Sequence, residues 1–439
     1  METITQISQA MRNVLGPIAD QLGWETGFTQ RQSKLSASAF VQGLVFSVMG
    51  SGDLTYTELK AGAKTAGVEI SNQGLEQRFT IASAALCQRV LEEAVRQVIT
   101  PEPTALPLLQ RFTGVYIRDS STISLPDALE DVWASGASGH GSNAGLKLQV
   151  RLEVCSGQLA GPILRPAREH DGKSPFQSER LPAGAVRMGD LGFFSLQQFA
   201  EDQRRQVFWF SRYKAKTLLY DEQGQAIDLL GWLQQQNLDQ SERTVYLGGK
   251  QHLACRLLAE RVPLTVIEQR KHRLKEYARK KQTPVTAQLL ALAEWTLIIT
   301  NIPASLLSIP EALVLLRVRW QIELLFRLWK SLFKIDEWRS QKPWRILTEL
   351  YAKLITVVIV HWTFLVRLWQ YPNRSLWKAT LTIRRFANAL ALALPDSIAL
   401  DQVLSQLQDH FRSICHVNPR RAHPNTYQWL EYPSCTTLD

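Results

Sequence analysis

Little in this chain points to bound zinc, disulfides or secretion. The five cysteines, Cys87, Cys155, Cys255, Cys415 and Cys435, stand at least twenty residues apart with no C-x-x-C, so neither a disulfide scaffold nor a zinc knuckle is signalled. That usage fits a reducing cytoplasm. The opening METITQISQAMRNVLG lacks the basic start and long apolar run of a secretion signal. The most apolar stretch, Leu347 to Trp369, is interrupted by Glu349, Lys353 and His361, and it reads as a core helix rather than a membrane span. The Gly-rich ASGASGHGSNAG lacks the Gly-Lys-Ser/Thr ending of a phosphate loop, and Gly136-Ala137-Ser138-Gly139-His140 misses a nucleophile elbow at its last position. A flexible connection is the simpler reading. His140, His170 and His416 have no partners at ligand spacing.

What is present is length and positive charge. A chain of 439 residues exceeds one compact core and predicts two or three domains. Fifty Lys and Arg against forty Asp and Glu leave a net charge of +10, a tilt toward a polyanionic partner such as nucleic acid. The most informative segment is LRVRWQIELLFRLWK, Leu316 to Lys330. Read as one uninterrupted helix at about 100° per residue, it gathers Arg319, Glu323, Arg327, Lys330 and Lys334 into a stripe roughly 80° wide. Trp320, Ile322, Leu324, Leu325, Leu328 and Trp329 cover the remaining surface, which predicts a helix packed inside protein. A carboxylate buried beside cations is unfavourable unless the arrangement is used. Glu323 holding a metal ion beside phosphates gripped by Arg319 and Lys330 is one use. A solvated strip of i,i+4 ion pairs is the other.

Along the chain, residues 1 to about 110 read as helical. In LTYTELKAGAKTAGVEISNQGLEQRFT a helix from Thr57, a break at Gly67 and a second helix capped by Ser71 outline a helix-turn-helix. Asn72, Gln73, Gln77 and Arg78 on the second helix are candidates for reading DNA bases. A plain helical hairpin fits the same pattern. Pro101, Pro103 and Pro107 mark a linker. From Gly114 the period becomes that of strands: GVYIRD ending in Asp119, a hairpin of LQVRLEVC and LAGPILR, AVRMGD ending in Asp190 before a helix near Ser195, and FWFSRY. Carboxylates at strand ends are where α/β folds place chemistry, and also where turns and N-caps place aspartate. The stretch from Tyr213 to about Ala291 reads as a β-rich insertion with RKHRLKEYARKK as a charged loop or helix. WTLIIT is a further strand, and Ser308 and Pro310 start the glutamate-bearing helix. Asp171 in REHDGK reads as a turn residue, and the tryptophans at 329, 338, 344, 362, 369 and 377 as core and interface filler.

Two strand-end aspartates and a helix-borne glutamate brought together would repel one another unless divalent cations compensate. Oxygen-only ligands without a His/Cys cluster point to two Mg²⁺ ions, with Mn²⁺ able to substitute. Such a pair serves in-line displacement at phosphorus.

The order Asp119, Asp190, Glu323, with Arg319 four residues before the glutamate and Lys330 seven after it, resembles the bacterial insertion-sequence transposases of the DDE type that carry the Tyr-Arg-Glu-Lys signature. IRDSSTISLP, LKLQVRLEVCSGQL, REHDGKS, MGDLGFFSLQQF, WFSRYK, TNIP and RWQIELLFRLWKS carry the resemblance across roughly residues 114 to 331. It implies an α/β fold with a ribonuclease-H-like core interrupted by the insertion. The expected parts are a helical DNA-binding region over 1–110, core segments over 111–213 and 292–345 flanking an insertion over 214–291, and a helical region over 346–439 for dimerisation and DNA contacts. It further implies Asp119, Asp190 and Glu323 as metal-binding catalytic residues, with Arg319 and Lys330 contacting DNA phosphates, and Arg327 and Lys334 join them on the same stripe. The implied activity is cut-and-paste transposition by a homodimer on double-stranded transposon ends and target DNA, in the bacterial nucleoid and away from membrane. One departure is plain: the signature tyrosine falls on Leu316, which cannot donate a hydrogen bond to phosphate. A ribonuclease-H-like nuclease that never joins strands, and a decayed or domesticated DNA-binding protein, are the rival expectations.

Overall fold

The computed structural model describes residues 2–135, 142–420 and 424–431; His140 with half of the Gly-rich segment, and Cys435, lie outside the described residues. The chain forms two compact units. One comprises Met1–Ala105, Ser120–Glu169 and Ile322–Arg420, the other Leu106–Asp119, His170–Gln321 and Arg421–Asp439. The strands among the described residues are β1 (Val115–Leu125), β2 (Ala144–Glu153), β3 (Leu159–Pro166), β4 (Val186–Gly189), β5 (Phe208–Arg212), β6 (Leu219–Tyr220), β7 (Gln240–Leu247), β8 (Leu253–Arg261) and β9 (Trp295–Thr300).

The first unit is mainly helical and is organised around Pro343–Phe364, the one described helix long and apolar enough to cross a membrane. Its apolar window is wholly buried in protein, so it is a core helix, as expected from its interrupting polar residues. Each of those residues has a partner. Arg345 Nε donates to Glu349 Oε1 at 2.9 Å, Lys353 Nζ donates to the carbonyls of Lys334 and Glu337 at 3.0 and 2.6 Å, and His361 Nε2 meets the Gly157 carbonyl at 2.6 Å. This satisfaction is what makes buried charge tolerable in an apolar helix. The helix packs on Ile81–Arg96 and Ala37–Ser51. Ala37–Ser51 in turn meets Tyr56–Thr65 so closely that a Cβ on Gly62 would stand 2.5 Å from the Gly43 carbonyl. The β2–β3 hairpin is antiparallel, from Leu146 opposite Pro166 to Leu152 opposite Leu159.

The second unit is a layered α/β structure. β4 pairs in parallel with β1 on one side and with β5 on the other, the β4–β5 crossover being the helix Leu196–Arg204. β9 then runs antiparallel to β5, and β8, β7 and β6 follow in antiparallel order. One face buries Phe199, Trp209, Val245, Leu247, Leu257 and Ile299 together, with Phe199 and Trp209 stacked at 4.5 Å. Side chains of this size contribute about 1.5–3 kcal/mol each when fully buried.

The β2–β3 hairpin, the strand over WTLIIT and the helix starts at Ser195 and Ser308 stand where the sequence places them, although the helix that Ser308 starts ends at Val318 and does not carry Glu323. RKHRLKEYARKK is helical, within Leu264–Lys281. Other expectations are corrected. β1 does not end at Asp119 but continues to Leu125 with Ile123 and Leu125 buried, because SSTISL prolongs the strand alternation beyond the acid. The helix expected to run unbroken through Leu316–Lys330 is two helices, Ile309–Val318 and Gln321–Phe333. Trp320 N bonds the Arg317 carbonyl three residues back, a tight turn that interrupts the α ladder. Nor is the second helix apolar all round: Leu324 is exposed, while Ile322, Leu325, Phe326, Leu328 and Trp329 are buried. In the helix-turn-helix candidate the first helix starts at Tyr56 and the Ser71-capped element is only Asn72–Glu76, five residues. Gln77 and Arg78 therefore lie beyond it.

Candidate active site

Asp119 and Asp190 are brought together by register. β1 and β4 are parallel, and their last paired residues are Arg118 and Gly189. The next residue on each strand is the aspartate. Neighbouring strands lie about 4.8 Å apart, so the two carboxylates leave adjacent strands at matching positions on the same face. Asp119 is half-buried and Asp190 exposed. Asp190 Oδ1 accepts from the Gly192 amide at 2.9 Å, which opens the tight turn Leu191–Phe193.

A third acid of the same unit stands close by. A Cβ built on Gly192 would lie 2.9 Å from Asp171 Oδ2 and 3.0 Å from Asp190 Oδ1. The lack of a side chain at Gly192 is what leaves both carboxylates room. Asp171 does sit in a turn, Asp171–Lys173, and that turn lies beside the one that follows Asp190.

Behind the aspartates the odd-even alternation of the strands turns Arg118 and Arg187 to the other face, where both are buried. Arg187 forms a two-pronged pair with Asp202, Nε to Oδ2 at 2.7 Å and Nη2 to Oδ1 at 3.0 Å. Burial and the neighbouring Arg187 charge lower the Arg118 guanidinium to about 9, which leaves it cationic at neutral pH. The sequence signal for these two arginines is Arg118 directly after the apolar run Val115–Ile117 and Arg187 between Val186 and Met188.

Glu323 belongs to the first unit, where Glu323, Arg327 and Lys330 share one face of Gln321–Phe333 at spacings of four and three. Lys330 Nζ donates to the Thr122 carbonyl of β1 at 3.3 Å, and Arg327 is exposed. Two of the expected stripe residues are not on this helix. Arg319 lies in the break before it, and Lys334 follows its end in the left-handed region at φ 47° and pairs with Asp53 at 3.8 Å. Leu316, at the position of the signature tyrosine, is half-buried in Ile309–Val318.

The remaining candidates divide. Asn72, Gln73 and Gln77 are exposed, whereas the Arg78 guanidinium lies over the Phe28 ring at 5.9 Å. Arg270 of the basic helix is committed internally, donating to the Trp295 carbonyl at 3.0 Å and Thr296 Oγ1 at 2.9 Å. A groove of about 660 Å³ lined by Leu191, Arg212, Arg270 and Arg273 opens at the residue following Asp190.

Among the described residues, no three His, Cys, Asp or Glu side chains close into a metal-binding group. The Asp119–Asp190 pair nonetheless suits hard divalent cations, since like charges on adjacent strands favour a cation between them and the donors are all oxygen.

A model of the family described as "Transposase DDE domain" matches residues 110–359, more than half of the chain. The chain is similar to the transposase for insertion sequence element IS231F of Bacillus thuringiensis subsp. israelensis, 27% identical over 378 residues, covering 80% of this chain and 78% of that one. It is similar also to the transposase for insertion sequence element IS1151 of Clostridium perfringens, 22% identical over 368 residues, covering 77% and 76%. The putative transposase InsL of IS186A from Escherichia coli matches more locally, 28% identical over 145 residues and 31% of this chain. With a parallel strand pair presenting two aspartates inside the matched segment, the chain belongs to the DDE transposase family.

Proposed function

We propose that this protein binds the terminal inverted repeats of its insertion sequence, cleaves them and transfers the freed 3′ ends to target DNA as a homodimer. The observation that carries this reading is the register of β1 and β4, which sets Asp119 beside Asp190. The parallel β1–β4–β5 segment with the β2–β3 hairpin supports a ribonuclease-H-like core, and the names of the relatives support an insertion sequence as the substrate.

In this reading Asp119, Asp190 and Glu323 hold two Mg²⁺ ions, or Mn²⁺ in their place. When bound, the ions supply Lewis-acid stabilisation of the attacking and leaving oxygens at phosphorus. The chain's own contribution is binding and orientation. Arg319, Arg327 and Lys330 grip phosphates along the scissile strand, where the exposed Arg327 pairs with two oxygens of one phosphate in two-pronged fashion. Lys334 joins them by exchanging Asp53 for phosphate. Arg212 and Arg273, in the groove beside Asp190, and the outer face of Leu264–Lys281 neutralise the backbone further along. Asn72, Gln73, Gln77 and Arg78 read the end sequence from the first unit.

The test is incubation of the full chain with a DNA fragment carrying the element's ends, a plasmid target and Mg²⁺. Strand joining yields plasmid-linked products. Cleavage without joining selects a stand-alone nuclease. Leu316 gives that reading, and that of a decayed protein, its specific support, because no hydroxyl stands at the signature's tyrosine position.

A further inference from the structure

Two arginines buried behind the acidic pair have no role in the reaction just proposed. Arg118 and Arg187 are each 3% exposed. Arg187 has a carboxylate partner in Asp202, whereas Arg118 uses its guanidinium on main-chain carbonyls. Its Nη1 donates to the carbonyls of Phe176 and Gln177 at 3.0 and 3.1 Å, and its Nη2 to that of Phe193 at 3.4 Å. The guanidinium also lies over the Phe193 ring at 5.0 Å. Arg187 reaches the same segment, with Nη1 donating to the Phe176 carbonyl at 3.1 Å and Nη2 to that of Glu179 at 2.6 Å.

These contacts have a common geometry. Arg118 is the residue before Asp119. Phe193 ends the turn that Asp190 opens, and Phe176 to Glu179 follow closely on the turn that carries Asp171. A single planar fork thus ties the strand bearing one aspartate to both segments that carry the neighbouring acids. Gln177 adds a strand to the tie, its Nε2 donating to the Phe193 carbonyl at 3.3 Å. A lysine keeps the charge but not the fork, so it cannot bond three carbonyls in fixed directions.

We infer that Arg118 is a positioning residue: through its fork it fixes the turns after Asp190 and Asp171 relative to Asp119, and so sets the spacing of the carboxylates that receive the cations. The inference rests on the proposed cation-binding role of Asp119 and Asp190. Groups that orient metal ligands from behind change cation affinity by about 10- to 100-fold when removed.

The experiment compares the full-length protein with Arg118→Lys and Gln177→Leu by two readouts. The first is the midpoint of Mn²⁺ binding followed by electron paramagnetic resonance. The second is amide hydrogen exchange of the metal-free protein at residues 190–193. Arg118→Lys is expected to raise the Mn²⁺ midpoint about tenfold or more and to speed exchange of the Gly192 amide while leaving β7 and β8 unchanged. Gln177→Leu is expected to move both in the same direction by less, and it decides the matter if Arg118→Lys does not fold. A lower Tm with both readouts unchanged would overturn the inference. If the wild-type protein takes up no Mn²⁺, the cation reading fails, and the exchange measurement alone still decides whether the fork holds the turns.

Discussion

Arg118 and Gly189 face one another at the last paired position of two parallel strands, and each is followed by an aspartate. From this register come both the carboxylate pair and the need to hold it against mutual repulsion. The segments around it are fixed from behind by buried guanidinium groups, while the side chains that would meet DNA are on exposed turns and on the face of Gln321–Phe333.

Gly192→Ala tests how closely the acids are packed. The added methyl would stand within 2.9 Å of Asp171 Oδ2 and 3.0 Å of Asp190 Oδ1. Both atoms end flexible side chains, so the fold yields by rotating carboxylates rather than backbone. The expected outcome is a Tm close to wild type with cleavage reduced by about tenfold or more, read by thermal unfolding alongside a single-turnover nicking assay.

Leu316→Tyr restores the hydroxyl of the family signature. A hydrogen bond to a charged phosphate is worth about 1.5–3 kcal/mol, so the substitution should raise the yield of joined product about tenfold at limiting DNA. Equal yields from the two proteins would show that another group already supplies the contact.

Stability should carry a distinct acid limb. Hydrogen bonding from Arg339 holds Asp53 at about 2, and hydrogen bonds from Lys342 and Tyr56 hold Glu76 at about 2, against ordinary values of 3.8 and 4.5. Both folded values are lowered, so these contributions are complete above about pH 4.5 and are lost as pH falls toward 2. Urea unfolding from pH 5 down to pH 2 is expected to show Asp53→Asn and Glu76→Gln flattening the decline seen in wild type.

Binding to end DNA should weaken steeply with salt. About six phosphate contacts give a log-log slope of about −5, measured by fluorescence anisotropy over a range of potassium concentrations. Arg327→Ala should reduce the slope by about one, whereas Arg270→Ala, whose guanidinium is tied to Trp295 and Thr296, should change stability more than slope.

The sequence made the local signals legible and left the long-range ones hidden. The Ser308 and Ser195 helix starts and the alternation of WTLIIT are written in neighbouring residues, and these features stand where expected. The break at Arg319–Trp320 was not legible, because every residue there tolerates helix and the interruption lies in hydrogen-bond geometry. The partners of Glu76, Lys342 and Arg345, were hidden because they come from far along the chain. At the candidate site the aspartates were visible as strand-associated acids. Their register, the closeness of Asp171 and the fork of Arg118 depend on which strand pairs with which, and no local pattern encodes that.

The most direct measurement is divalent-cation-dependent nicking of end DNA by wild type, Asp119→Asn and Asp190→Asn, with DNA affinity measured in parallel at low salt. Each substitution is expected to abolish nicking while binding persists. Nicking retained by either variant would contradict the assignment of these two strand-borne acids to the chemistry.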